Sequence, residues 1–334
     1  MTEEARPLDQ PADADAVVPP KSWRDSRIRA EHVRDYGILV VFAALFVGLS
    51  FASQAFLTTD NLLNILYQNA PVGIMACAVT LVIIAGNFDL SLGAMYAATG
   101  VCAAEAAVHL GVGYGLAAPI LAGGVLGLVN GLLVTKLRVN AFLATLATSL
   151  VFRGAAVAIT GGFLVEVSSN TFSGLGRNTV GSVQYSVIVF VVMAVLLQFV
   201  LGRTIFGRYA YAVGGNREAA RQSGLRVDRI VIATFVIAGL AAGIAGLIDA
   251  STTGSGSASE GVGYELTAIA GVALGGTSIF GGVGSVWRTV VGIMLLGLIT
   301  NGFNILGVEA FYQDIVKGGL IVAAVALGSM VERR

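Results

Sequence analysis

Long uninterrupted apolar runs constrain this chain more than any other feature. A helix needs about 20 apolar residues, rising 1.5 Å each, to cross the hydrocarbon core of a bilayer. Runs of that length recur ten times, at roughly 37–57, 69–86, 91–110, 113–135, 141–161, 184–202, 230–250, 264–280, 285–305 and 310–328. The eighth, GYELTAIAGVALGGTSIFGGVG, is the shortest and is broken by glycines. Charged residues make up 12% of the chain, against about 25% for a soluble domain that must face water. With 56% hydrophobic residues and 44 glycines, lipid is the solvent that fits, because small residues let helices approach closely in it. The expected fold class is an all-α integral membrane protein of about ten transmembrane helices.

Charge and cysteines exclude several functions. The formal net charge is zero, so no nucleic-acid partner is expected. Cys77 and Cys102 both sit in apolar runs and read as packing residues; no metal site is expected.

The ends and the loops give an orientation. Residues 1–35 open acidic and proline-rich, as MTEEARPLDQPADADAVVPP, a composition that predicts a disordered cytoplasmic tail before a transmembrane domain over 36–330. The basic stretch KSWRDSRIRAEHVRD precedes the first apolar run, the pattern of a cytoplasmic anchor. With ten spans and both termini inside, Arg177 is the one basic residue in an outward loop, while Arg153 and Lys317 fall within spans. That asymmetry is the positive-inside pattern.

An internal echo adds a plan. GLVNGLLVTKLRVNAF (127–142) and GLITNGFNILGVEAF (297–311) share Gly-Leu, Asn-Gly, a late Val and Ala-Phe. They cover the junctions after spans four and nine, which face opposite sides. Spans 2–5 and 7–10 are thus expected to be inverted repeats, a plan common among transporters.

The loop 203–229 carries the strongest functional signal, as GRYAYAVGGNREAARQSGLRVDR. Asn216 suits an N-cap, Glu218 falls in the first turn, Ala219 and Ala220 favour helix, and Gly224 suits the C′ stop. The spacing predicts a helix over 217–223 of about two turns, too short to stand alone in water. Either it packs on its own spans or it docks in a partner's groove. Gly214, Gly215, Asn216, Arg217, Glu218, Ala219, Ala220, Arg221 and Gly224 are the residues of this segment singled out as a candidate site.

This segment resembles the cytoplasmic coupling segment of permease subunits in bacterial ATP-binding-cassette importers. AGNFDLSLGAM, GYELTAIAGVALGGTSIFGGVG and NGFNILGVEAFYQDIVKGGLIV are similar to stretches of the ribose/xylose/arabinose-type monosaccharide permeases. The likeness runs from about residue 57 to 326. It implies the importer-permease fold in the bacterial inner membrane. It also implies a second permease subunit (a copy or a close relative), cytoplasmic ATPase subunits and an extracytoplasmic sugar-binding protein. No enzyme activity or cofactor is then expected in this chain, ATP and Mg belonging to the ATPase. Consistent with that, no G-x-x-x-x-G-K-[ST] phosphate loop occurs; GGTSIFGG has no lysine.

Polar residues inside spans need partners or water. Asp89 and Ser91 flank a junction between Gly86 and Gly93, where the backbone is free to break; Ser91 also suits a cap for span three. Asp314 and Lys317 lie three apart on one helix and are placed to pair, whereas Arg153 has no partner legible in sequence. A sugar route calls for neutral hydrogen-bonding groups, and Asn69, Thr145, Thr148, Asn301 and Asn304 supply them beside Asp89 and Ser91. The alternative for each is ordinary interhelical bonding. Other cargoes, namely branched-chain amino acids, nucleosides or a furanone signal, remain open at this stage, as does a stand-alone secondary transporter.

Overall fold

The computed structural model describes residues 21–316, 318, 319 and 322, the side chains of 21–36 excepted. It is a bundle of long helices. In chain order these are α1 (Lys21–Ala52), α2 (Thr59–Ile84), α3 (Leu92–His109), α4 (Val112–Thr135), α5 (Ala141–Thr160), α6 (Asn170–Arg177), α7 (Tyr185–Arg203), α8 (Ile205–Gly215), α9 (Arg217–Gln222), α10 (Val227–Thr253), α11 (Tyr264–Leu274) and α12 (Val286–Ile305). Two pairs of two-residue strands complete it: β1 (Val165–Glu166) with β4 (Ser255–Gly256), and β2 (Thr179–Val180) with β3 (Val183–Gln184), both antiparallel. Among the described residues, six helices are long and apolar enough to span a bilayer: α2, α4, α5, α7, α10 and α12.

Three sequence expectations are corrected. α1 starts at Lys21, inside the stretch read as tail up to residue 35. Pro19 and Pro20 mark the boundary, and the following Arg, Ala and Glu residues favour helix with no breaker before the apolar run; residues 1–20 lie outside the described residues. α2 begins at Thr59, ten residues before the expected span, because the Thr58 hydroxyl caps it by accepting from the Asn61 amide at 3.4 Å. Expected span eight does not run to 280: α11 ends at Leu274, and Gly276 turns the chain away at a positive φ of 74°. Of span ten, residues 310–316, 318, 319 and 322 are described; the expected Asp314–Lys317 pairing lies outside the described residues, since Lys317 is not among them.

Glycine sets the central packing. α4 runs antiparallel to α10 with Gly123 against the Gly239 carbonyl and Gly127 against that of Phe235, where a Cβ would collide with backbone. Helices this close gain dispersion and weak backbone contacts that larger side chains would forbid. α2 is enclosed by α10, α12, α7 and α11, and from Val72 to Ile84 every residue is buried. α4, α5 and α7 instead turn large apolar side chains outward, among them Leu121, Leu150 and Val195. So broad an apolar exterior suits lipid, not water.

Candidate coupling surface

At one end of the bundle the α7–α10 loop forms a compact unit. α8 opens with Thr204 accepting from the Gly207 amide at 3.2 Å, and Gly207 has no side chain because a Cβ there would strike the Leu201 carbonyl. At the other end of α8, Asn216 leaves the helical region (φ −157°, ψ 101°) and redirects the chain. Its side chain accepts from the Ala219 amide at 2.9 Å and starts α9. The Leu225 amide closes back on the Ala220 carbonyl at 3.0 Å, with Gly224 at φ 81°. This is the αL-glycine helix stop. The helix expected at 217–223 is therefore present, one residue shorter, with its N-cap and its glycine where they were expected. The preceding α8 was not legible, because its glycines at 207, 214 and 215 weaken any helical pattern.

What holds this unit is backbone contact. A Cβ at Gly214 would fall on the Ile84 carbonyl, which itself accepts from the Gly282 amide at 2.9 Å. Gly86, Gly281 and Gly282 pack on Gly214 and Gly215, and the Tyr211 hydroxyl donates to the Gly284 carbonyl at 2.8 Å. The end of α2, the α11–α12 loop and α8 are thus joined with almost no side chain between them.

α9 itself stands proud. Of its residues only Ala220 is buried; Arg217, Glu218, Ala219, Arg221 and Gln222 are exposed. Arg217 donates to the Asn87 side-chain oxygen at 3.2 Å. Partial burial, reinforced by Arg221 and opposed by Asp228, lowers its pKa. Asp228 draws in Lys136 at 3.5 Å and Arg221 at 3.7 Å, both solvent-screened pairs. Glu218 makes no ion pair or hydrogen bond among the described residues. Beside the helix lies a cleft of about 710 Å³, bordered by Asn87, Phe88, Arg138, Arg217, Arg221 and Phe280.

One layer further in, a buried polar chain ties the α2–α3 junction to α4 and α5. Asp89 Oδ1 accepts from the Ser91 hydroxyl at 2.6 Å and the Ser91 amide at 2.9 Å. The Asn130 amide donates to Ser91 Oγ at 2.7 Å, and the Thr148 hydroxyl donates to Asn130 Oδ1 at 2.7 Å. Thr145 Oγ1 accepts from the Leu90 amide at 3.0 Å. Ser91 occupies the N-cap position of α3 but makes no side-chain capping bond, because its hydroxyl is spent on Asp89. Asp89, Ser91, Thr145 and Thr148 are all buried; they brace the junction from within.

The remaining polar residues are also engaged. Asn69 donates to the Ile65 carbonyl at 2.8 Å and fills the space above Gly297. Asn301 and Asn61 exchange amide hydrogen bonds at 2.7 and 3.2 Å, joining α12 to α2, and Asn304 accepts from Gln313 at 2.8 Å. Arg153 finds the partners that sequence could not supply: it donates to the Ala258 carbonyl at 2.6 Å and the Glu260 carbonyl at 3.0 Å.

Comparisons with known proteins bear on this geometry. Residues 61–325 match the family described as the branched-chain amino acid transport system permease component. The chain is 38% identical to the ribose import permease protein of Escherichia coli strain K12, over 86% of this chain and 91% of that one. It is 38% identical to the L-arabinose ABC transporter permease protein of Azospirillum brasilense, over 86% of each. To the D-allose transport system permease protein of E. coli K12 it is 37% identical, over 89% and 91%. No solved structure matches. The chain therefore belongs to this family of membrane-embedded permease components of ATP-binding-cassette importers.

Proposed function

We propose that this chain is the permease through which a monosaccharide enters the cell, driven by ATP hydrolysed on a separate subunit docked at α9. The carrying observation is the capped, glycine-anchored α9: five of its six residues face outward, on a unit joined rigidly to the ends of α2 and α12. A six-residue helix is below the length that is stable alone, so its caps and anchor serve to present a surface to a partner. Movement of that surface passes directly to the α2–α3 junction and the α11–α12 loop. The sugar cargo follows from relatives named for ribose, L-arabinose and D-allose import. On this reading both termini and α9 lie in the cytoplasm of a bacterium, a second permease completes the pathway, and a sugar-binding protein docks at the opposite end.

Ten spans in two inverted repeats belong to the same proposal. The helix lengths support it: α2 and α10, the first of each repeat, have 26 and 27 residues. Each is followed by a non-helical break containing a glycine at positive φ (Gly86, or Gly254, Gly261 and Gly263) and a shorter helix, α3 or α11. The buried Asn130 and the paired Asn301 occupy matching places in the two echoing stretches.

The test is uptake of labelled D-ribose, L-arabinose and D-allose by vesicles holding the permease with its ATPase and binding protein. ATP-dependent uptake of one of these sugars is expected, lost when either partner is omitted. Uptake that persists without the ATPase would identify a secondary transporter and overturn the reading.

A further inference from the structure

The segment leading into α11 sets two exposed polar side chains, Ser259 and Glu260, beside the spanning helix α5. α11 has 11 residues, about 16 Å of helix and half of a hydrocarbon core. It packs antiparallel on α12, with Gly275 against Arg288 and Gly271 against Ile293, so its first turn stops short of the end of α12 at Ile305. The chain covers the rest without regular structure. Gly256 lies against Gly100 and Ala104 of α3, and Gly261 lies against Gly93 and Tyr96. From Gly93 to the far end of α3 is about 24 Å of helix, so residues 256–261 run deep along it. Arg153 fixes the depth independently. It sits near the middle of the spanning helix α5 (Ala141–Thr160) and holds the carbonyls of Ala258 and Glu260.

Irregular backbone at this depth persists only where protein covers it or water reaches it. Here one side is covered: Ala258 packs with Val101 and Ala156 between α3 and α5. The other side is open. Ser259 and Glu260 are exposed, Ser257 and Ser259 share a hydrogen bond at 2.8 Å, and Glu260 has no ion-pair partner among the described residues. Arg153 is committed to backbone carbonyls. A carboxylate exposed at mid-membrane does not face lipid.

We infer that residues 257–260 line the aqueous route of the permease, with Ser257, Ser259 and Glu260 exchanging hydrogen bonds with the hydroxyls of the passing sugar. The inference rests on the sugar reading for its ligand but not for the existence of the route. Hydroxyls and a carboxylate suit a polyol: each accepts from sugar O–H groups, and the serines also donate. Arg153 is the positioning residue that holds this segment at depth. In transporters, helices interrupted by glycine mark the binding region in this way.

The test has two arms in the assembled importer. In the first, Ser259→Cys is made in a Cys77→Ser, Cys102→Ser background and exposed to a membrane-impermeant thiol reagent, with Val195→Cys on the apolar face of α7 as control. Position 259 is expected to label and position 195 not; an unlabelled Cys at 259 overturns the route. In the second arm, Glu260→Gln and Ser259→Ala in the native background are assayed for uptake of labelled D-ribose, L-arabinose and D-allose. Each is expected to lower uptake at least ten-fold while binding-protein-stimulated ATP hydrolysis persists; wild-type uptake in both overturns the sugar contact. Failure of the unmutated importer to take up any of the three sugars would sink the cargo reading, and the labelling arm would still decide the route.

Discussion

Single polar side chains do two distinct jobs in this protein, and burial separates them. Asn130 is fully buried and serves Ser91 and Thr148 at once. Asn130→Leu leaves both hydroxyls short of a partner, and a cost of about 1–3 kcal/mol is expected, read as a lower unfolding temperature in detergent. Asn301→Leu orphans only the half-buried Asn61 and should cost less. Glu218 stands at the other extreme, exposed and without an ion-pair or hydrogen-bond partner among the described residues. Glu218→Lys is expected to abolish uptake while the amount of permease in the membrane, measured by immunoblot, stays unchanged. Residue types were legible in sequence, but their roles were not. Thr145, Thr148 and Asn301 have the chemistry of a sugar route, and each also bonds within the bundle, to Leu90, Asn130 and Asn61. Ser257, Ser259 and Glu260 lay in what read as an outer loop, because only the contacts of Gly256 and Gly261 with α3 reveal the dip. The one signal available was Arg153, a charge inside a span with nothing nearby in sequence to neutralise it.

At the scale of elements, the sequence specified most of the helices through apolar runs of spanning length. Spans three to seven and span nine start and stop within a few residues of the observed α3, α4, α5, α7, α10 and α12. It failed where glycine competes with periodicity. α8 was missed for that reason, and α11 was drawn too long across Gly275 and Gly276. The glycines that blur the pattern are the ones that make the contacts. Gly214→Ala places a methyl group on the Ile84 carbonyl, whereas a methyl group at Gly215 meets nothing within 4 Å. Gly214→Ala is therefore expected to lower both thermal stability and uptake, and Gly215→Ala to leave stability near that of the unmutated protein. Equal effects of the two substitutions would mean that α8 is not held by the α2 end. At Gly224, held at φ 81°, a β-branched residue would strain the stop of α9 by about 1–2 kcal/mol. Gly224→Val should accordingly weaken ATPase docking more than it weakens the bundle.

Across the whole molecule, the same glycine junction gives the permease a stiff path from one end to its centre. α9 follows α8 across the single residue Asn216, α8 abuts the α2 end and the α11–α12 loop, and that loop leads through α11 to the segment at the proposed route. A helix pushed at one end therefore displaces elements that border the proposed route, without relying on flexible side chains to pass the motion on. This account needs α9 to touch the ATPase. The most direct measurement places a photo-crosslinking amino acid at position 218 in the assembled importer and irradiates it with and without ATP. The account predicts a crosslink to the ATPase subunit, altered in yield by nucleotide. A crosslink only to the binding protein, or none to any other subunit, would contradict it.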